Sequence, residues 1–490
     1  MELHQHKTGF KPLQLVALFA LLQVAVAFLT NAGSFTHEES MWHYIGRNWF
    51  RLGLVPYEGG VDNKSPLIFS VFGLSDRLFG LNYWFPRVVG IVVQSAGVYF
   101  IYKIAMRLGD NRAAVIAVTI YGLTLLWRTT GGKLVSFTET YAVTFLIIAV
   151  HTYLCAVTRK HFFVSGLLTG LALGWRITAV FGAVALLIHA MSGKRKTVVP
   201  FVAGIITSVV VLLLLAVAAG IDPQQLYLYM LVDNWGERST TDHSLMWRLE
   251  RFAGNFIFSE LALFYPPVIG YLFLKKRYSL LVIWLVCEFA GINLIGIYAR
   301  PHFKHLLPVL CLVSGLSLSY FIQRYQFRWS YVLVIVWIVF FPKITEPYTS
   351  VRDMFRSTAA GDNIFCGPPY SKPVERAEEK LGRWIKENTA DTDLVLVAGF
   401  GARVQLFSER LSPTIYFNVT QTERARQRLQ HDISRNPPAM VLIPLNREYD
   451  LHVRPEIRTI MTELIKDRYR LEGCKYGYEV YSLNSVGFTF

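Results

Sequence analysis

The chain has 490 residues, 53% hydrophobic and 17% charged, with a formal net charge of +15 at pH 7. Long apolar runs with so few charges exclude an ordinary water-soluble globule and place the chain in lipid. The basic excess lies almost wholly ahead of residue 350, in small clusters between apolar runs. That excludes a nucleic-acid binder, which would gather it in one groove or tail, and fits loops that set membrane topology.

A membrane span needs about 20 apolar residues. Leu13–Thr30 is the first, read as a retained helix because no convincing small-residue cleavage site follows it. A long loop runs to Tyr83. Phe85–Met106, Ala113–Trp127 and Leu134–Val157 are the next three spans. Phe162–Met191 is predicted to be two shorter helices meeting near Arg176, since an arginine in mid-bilayer is costly. Two helices there also put the dense basic clusters, such as Lys194-Arg195-Lys196 and Lys275-Lys276-Arg277, on the side of the N-terminus. Thr197–Ala219, Phe252–Leu274, Leu280–Tyr298, Leu306–Phe321 and Tyr331–Phe341 complete the set. The expectation is a polytopic α-helical membrane protein of about eleven spans with a cytoplasmic N-terminus. Residues 1–349 form the membrane domain, in which 31–83 is the first outer loop.

From about residue 350 the pattern changes. The apolar runs Leu394–Ala398 and Met440–Ile443 are short and resemble buried parallel strands. Polar helical stretches at Val374–Asn388, Gln421–Ser434 and Pro455–Asp467 alternate with them. Residues 350–490 are therefore expected to form an outer-face α/β domain. Cys366 and Cys474 lie near its two ends and are a candidate pair if that face is oxidising. Cys155, Cys287 and Cys311 lie in apolar runs and are simple buried side chains.

The first outer loop is the unusual stretch. Between Thr36 and Phe69 it opens with Glu38 and Glu39, continues as an aromatic and basic helix, and ends in Asp62-Asn63-Lys64-Ser65-Pro66. Adjacent helical residues diverge by about 100°, so one carboxylate faces a given site and suits a general base. Thr36 and Glu39 also have capping-box spacing, a structural use that is compatible with the first. Lys64 is a candidate phosphate ligand or a snorkelling interfacial lysine. Arg128, Lys133, Arg300, His302, Lys304 and His305 fall on outer edges, where an anionic ligand, lipid head groups or the C-terminal domain would meet them. Asp233, Glu237, Asp242 and His243 are a loose carboxylate and histidine group without metal-ligand spacing. Arg176 and Glu288 are intramembrane charges that pair or bind substrate. Nucleotide-binding and HExxH motifs are absent, so the donor is expected to be pre-activated and lipid-borne.

These motifs resemble GT-C membrane glycosyltransferases, in particular dolichyl-phosphate-mannose protein mannosyltransferases and bacterial aminoarabinose (lipid A) transferases. The resemblance rests on Glu38-Glu39, the helix Tyr44–Arg51, Gly53–Tyr57 and Asp62–Pro66. Further landmarks are Ser136–Tyr141, Gly166–Arg176 and Tyr298–Pro308. It implies inverting transfer of a sugar from a polyprenyl-phosphate donor to a lipid, glycan or protein acceptor at the outer face, in a bacterial inner membrane. It aligns Glu38 and Glu39 with the catalytic acid pair, and Lys64 with a phosphate-side lysine joined by Arg128, Lys133, Arg300 and Lys304. Tyr57, Asp62, Glu139, His302 and His305 become substrate-binding candidates. The chain departs from the family in having Glu38 for the usual Asp and Ser65 for a Pro. A divalent metal is possible, since family members differ in this. A transporter or flippase of lipid-linked saccharides and a non-catalytic assembly subunit are the alternatives. The acidic loop and the absence of repeated halves weigh against transport.

Overall fold

The structure is a computed structural model. It describes residues 12–29, 35–127, 135–192, 197–233, 244–274, 278–325, 374–399, 401–417, 423–445, 455–466 and 468–484. Arg128, Lys133, Glu237, Asp242, His243, Cys366 and the expected span Tyr331–Phe341 lie outside these residues. The chain divides into two compact units, each assembled from segments distant in sequence. One holds residues 1–30, 87–214 and 243–349; the other holds 31–86, 215–242 and 350–490.

The first unit is helical. Trp84–Leu108, Val198–Ala218 and Leu307–Arg324 are long and apolar enough to cross a membrane, and a bent pair at Leu245–Ile257 and Glu260–Leu272 is a fourth candidate. Shorter apolar helices lie at Pro12–Ala27, Ile177–Ser192 and Ser279–Ile295. Length and composition thus mark three or four spans among the described residues, against the expected eleven. The region 162–191 is two helices. One ends at Trp175, Arg176 is extended (φ −151°, ψ 120°), and a short turn leads into Val180–Ser192. Phe252–Leu274, expected as one helix, is instead bent by 51°. Ser259 accepts a hydrogen bond from the Leu261 amide and starts a new turn. Pro266 and Pro267 then withhold backbone donors from a continuous helix. Close helix contacts depend on glycine. A Cβ on Gly166 would lie 2.0 Å from the Phe201 carbonyl oxygen, and one on Gly204 would lie 2.1 Å from that of Phe163.

In the second unit, His37–Leu52 and Pro66–Phe79 are the helices of the first loop. Thr36 and Glu39 form the capping box of the first, which stops at Gly53 in a left-handed conformation (φ 72°). Ser65 caps the second, with Pro66 in its first turn. The C-terminal segment forms a four-stranded sheet from β1 (Val395–Val397), β2 (Met440–Pro444), β3 (Tyr469–Lys475) and β4 (Tyr478–Leu483), in the order β1-β2-β4-β3. β1 and β2 are parallel, as their apolar runs suggest; β4 is antiparallel to β2 and β3. Alternation along β1 sends Val395 and Val397 to a core with Leu381, Ile385 and Val404, and Leu396 to a core with Leu429, Ile433 and Met461. Helices therefore cover both faces of the sheet. The β3–β4 hairpin is not visible in the sequence, because Tyr469-Arg-Leu-Glu-Gly-Cys-Lys475 has neither an apolar run nor clean alternation.

The first loop is built into this unit. Arg403 donates to Glu378 Oε2 at 2.6 Å and to the Phe35 carbonyl at 2.9 Å. The Ser412 amide donates to the Tyr44 hydroxyl at 2.9 Å, and the Val61 amide to the Ile415 carbonyl at 2.9 Å.

Candidate active site

The acidic end of the loop separates the two adjacent glutamates. Glu39 is fully buried and its carboxylate accepts from the Thr36 amide at 2.9 Å, while its own amide donates to Thr36 Oγ1 at 3.1 Å. Glu38 stays partly exposed. Desolvation raises its pKa above the usual glutamate value; a backbone hydrogen bond and the charge of Lys64 oppose that, and the charges of Glu39 and Asp62 add to it. Of the two, Glu38 is the carboxylate left accessible, and its pKa is raised.

One helical turn beyond Glu38, on the same face, stands Trp42. Its indole N–H donates to Asp62 Oδ2 at 2.7 Å, and the Asn63 amide donates to Asp62 Oδ1 at 2.7 Å. Lys64 Nζ lies 3.6 Å from Asp62 Oδ1 and also donates to Asn63 Oδ1. The lysine side chain remains partly exposed, so it can meet an anion from outside. Tyr57 is fully buried; its hydroxyl donates to the Lys64 carbonyl at 2.9 Å, and its backbone is left-handed (φ 75°). A non-glycine residue there is strained and persists only where its surroundings over-determine it. Here the Tyr57 amide bonds the Gly60 carbonyl and Asn48 holds the Gly59 carbonyl.

The spacing of the helix that carries Glu38 and the Pro66–Phe79 helix, which Lys64 precedes, is set by their crossing. A Cβ on Gly46 would sit 2.4 Å from the Gly73 nitrogen and 2.5 Å from the Phe69 carbonyl oxygen. Asp76 adds a polar clamp: its carboxylate meets buried His43 Nε2 at 3.0 Å and pairs with Arg51. Glu38, Glu39, Tyr57, Asp62 and Lys64 are therefore brought together in one unit. Trp42 and Asp76 are the contributors that sequence reasoning misses. Trp42 carries a legible signal, the four-residue step from Glu38.

Glu139, Arg176, His302, Lys304 and His305 gather in the other unit. Glu139 is buried and accepts from Thr138 Oγ1 at 3.0 Å; Arg176 Nε lies 3.3 Å from its other oxygen. Arg176 therefore pairs with Glu139, and Glu288 instead accepts from the Trp284 indole at 3.1 Å. Arg176 also meets His302 Nε2 at 3.3 Å. Lys304 is 1% exposed and donates to Thr140 Oγ1 at 2.6 Å. In the turn ahead of the Leu307–Tyr325 helix, burial brings its pKa down to about 7 against the pull of Glu139. His305 bonds Thr178 Oγ1 at 3.1 Å, and burial holds it neutral with a pKa of about 4. Arg300 is exposed. The basic residues of Tyr298–Pro308 are thus not a uniform outer-edge row: Lys304 and His305 are interior and Arg300 is not. Asp233, from the loose acidic group, pairs with Arg424. Among the described residues no group of three or more His, Cys, Asp or Glu side chains is placed to hold a metal ion.

The family profile of dolichyl-phosphate-mannose-protein mannosyltransferases matches residues 63–220. No curated protein sequence matches the chain. Solved structures of similar fold include ArnT from Cupriavidus metallidurans bound to undecaprenyl phosphate, with a TM-score of 0.63 and 14% identity over 95% of this chain and 97% of that one. The Archaeoglobus fulgidus oligosaccharyltransferase in complex with Zn and sulfate matches with a TM-score of 0.58 and 14% identity, over 96% of this chain and 73% of that one. The archaeal oligosaccharyltransferase AglB from Archaeoglobus fulgidus, with an inhibitory peptide and a dolichol-phosphate, matches with a TM-score of 0.54 and 13% identity, over 97% and 74%. By sequence over residues 63–220, and by fold over nearly its whole length, this chain is similar to the GT-C membrane glycosyltransferases.

Proposed function

We propose that this protein is an inverting glycosyltransferase of the membrane. It moves a sugar from a polyprenyl-phosphate donor to a lipid, glycan or protein acceptor at the outer face of a bacterial inner membrane. The observation that carries the reading is the division of labour between the adjacent glutamates. Glu39 is committed to the helix cap, while Glu38 is partly exposed, has a raised pKa, and is electrostatically coupled to Lys64. The match to the mannosyltransferase profile begins at Asn63, within Asp62–Pro66 and after the two glutamates, and relatives in fold were solved with undecaprenyl phosphate and dolichol-phosphate.

In this mechanism Glu38 takes the proton of the acceptor hydroxyl as its oxygen attacks the anomeric carbon. The bond from that carbon to the phosphate oxygen breaks, and the electron pair leaves with the polyprenyl phosphate. Lys64, held by Asp62 and Asn63, stabilises the phosphate anion as its charge grows. Asp62 serves by holding Lys64 and Tyr57 by fixing its backbone. The Glu139–Arg176–Lys304 group, with His302 and His305, is a second polar cluster for donor or acceptor, and Arg128, Lys133 and Arg300 are further candidates on the donor's phosphate side. Incubating purified protein with polyprenyl-phosphate sugars tests the reading. Release of free polyprenyl phosphate, dependent on an acceptor, supports it; transbilayer movement of the intact donor without bond cleavage overturns it in favour of a flippase.

A further inference from the structure

The second unit is stitched from three separate sequence segments, and one chain of contacts passes through all of them to reach Lys64. It begins at Arg424, on the Glu423–Arg435 helix of the C-terminal segment. Arg424 pairs with Asp233, and its guanidinium carbon stands 5.4 Å from the ring centre of Tyr229. Tyr416 closes the group: its hydroxyl lies 3.5 Å from Asp233 Oδ2, and its ring meets Tyr229 edge-on at 6.1 Å. Tyr229, on the short helical turn Leu228–Val232, stacks on Tyr57 with ring centres 5.4 Å apart and an angle of 22°. The Tyr57 hydroxyl then donates to the carbonyl of Lys64.

We propose that Arg424 and Asp233 are positioning residues for Lys64, acting through Tyr229 and Tyr57. The physical case rests on Tyr57. Its left-handed backbone is intrinsically unfavourable and must be held by neighbours. Phe69 meets one part of its ring edge-on at 6.3 Å, and Tyr229 stacks on its face. Tyr229 is in turn fixed by the Arg424 guanidinium and by Tyr416. Removing Arg424 leaves Asp233 without its cation and Tyr229 without the group over its ring. Tyr57 can then relax, and the Lys64 carbonyl loses its anchor. The C-terminal segment is on this account a working part of the donor site.

The inference rests on the proposed role of Lys64 in meeting the donor phosphate, and the test separates the two. Undecaprenyl phosphate is titrated calorimetrically into the purified full-length chain in detergent. Lys64→Ala should weaken binding by about tenfold or more, as expected for loss of a charge-assisted contact. Arg424→Ala should weaken it by about three- to tenfold, the range for residues acting through a contact network. In the Lys64→Ala background Arg424→Ala should cause no further loss. Tyr229→Phe, which keeps the ring, should bind like wild type, and Tyr229→Leu should behave like Arg424→Ala. A purely structural role predicts equal losses from Arg424→Ala in both backgrounds, and that result overturns the proposal, as does wild-type binding by Arg424→Ala. Unchanged binding by Lys64→Ala overturns the Lys64 reading itself and this inference with it. Where Arg424→Ala does not fold, the near-isosteric Asp233→Asn carries the same cycle.

Discussion

Gly46→Ala probes the crossing between the helix that carries Glu38 and the Pro66–Phe79 helix, which Lys64 precedes. The added methyl would lie 2.4 Å from the Gly73 nitrogen and 2.5 Å from the Phe69 carbonyl oxygen, where ordinary contact begins at 3.4 Å. Both obstacles are backbone, so no rotamer change relieves them, and the two helices must part by about 1 Å at the crossing. Overpacking of this kind costs about 1–3 kcal/mol, which should appear as a lower thermal midpoint. Activity should fall further than stability, because a displacement of about 1 Å in a catalytic arrangement can cost about a hundredfold in rate. The assay is kcat/KM for release of polyprenyl phosphate at a temperature where the variant is fully folded. Gly254→Ala, whose added Cβ meets nothing within 4 Å, is the control and should stay near wild type. If Gly46→Ala loses stability but keeps wild-type kcat/KM, the spacing of these helices does not govern the chemistry and the reasoning fails.

Thr36→Ala removes the hydroxyl half of the capping box and should cost about 1 kcal/mol in stability by thermal melts. The Glu39 carboxylate keeps its bond from the backbone amide of residue 36, so kcat should stay close to wild type. The acid limb of the pH–rate profile should lie above the ordinary glutamate range, because Glu38 must be deprotonated to act and its pKa is raised. Asp62→Asn, which removes a negative charge, should shift that limb to lower pH, and Lys64→Ala, which removes a positive one, to higher pH; shifts in the reverse sense would exclude Glu38 as the titrating base. The same raised pKa favours the protonated folded state. Glu38→Gln should therefore be more stable than wild type at neutral pH, and that advantage should vanish at pH values below the ordinary glutamate pKa, as read by denaturant melts.

Much of the site was legible because its logic is local. The Thr36–Glu39 capping box needs only its three-residue spacing, and the strands at Leu394–Ala398 and Met440–Ile443 announce themselves as short apolar runs. The break at Arg176 follows from the cost of a charge inside an apolar run. What the sequence hides depends on pairing across distance. Trp42 reaches Asp62 only because the Tyr57–Gly60 turn folds the loop back, and that turn uses a left-handed tyrosine that no propensity favours. The sequence offers Glu288 as a partner for Arg176, and only three-dimensional packing shows that Glu139 takes that place. The bend within Phe252–Leu274 lies inside an apolar run, where hydropathy alone continues the helix through Pro266 and Pro267.

The central claim is that Glu38 performs the chemistry while Lys64 holds the donor phosphate. The most direct test measures undecaprenyl-phosphate binding and single-turnover sugar transfer on the same preparation of Glu38→Gln. The account predicts binding close to wild type, with transfer reduced by at least about a hundredfold, the loss expected when a general base is removed. Transfer near the wild-type rate by a folded Glu38→Gln protein would contradict it.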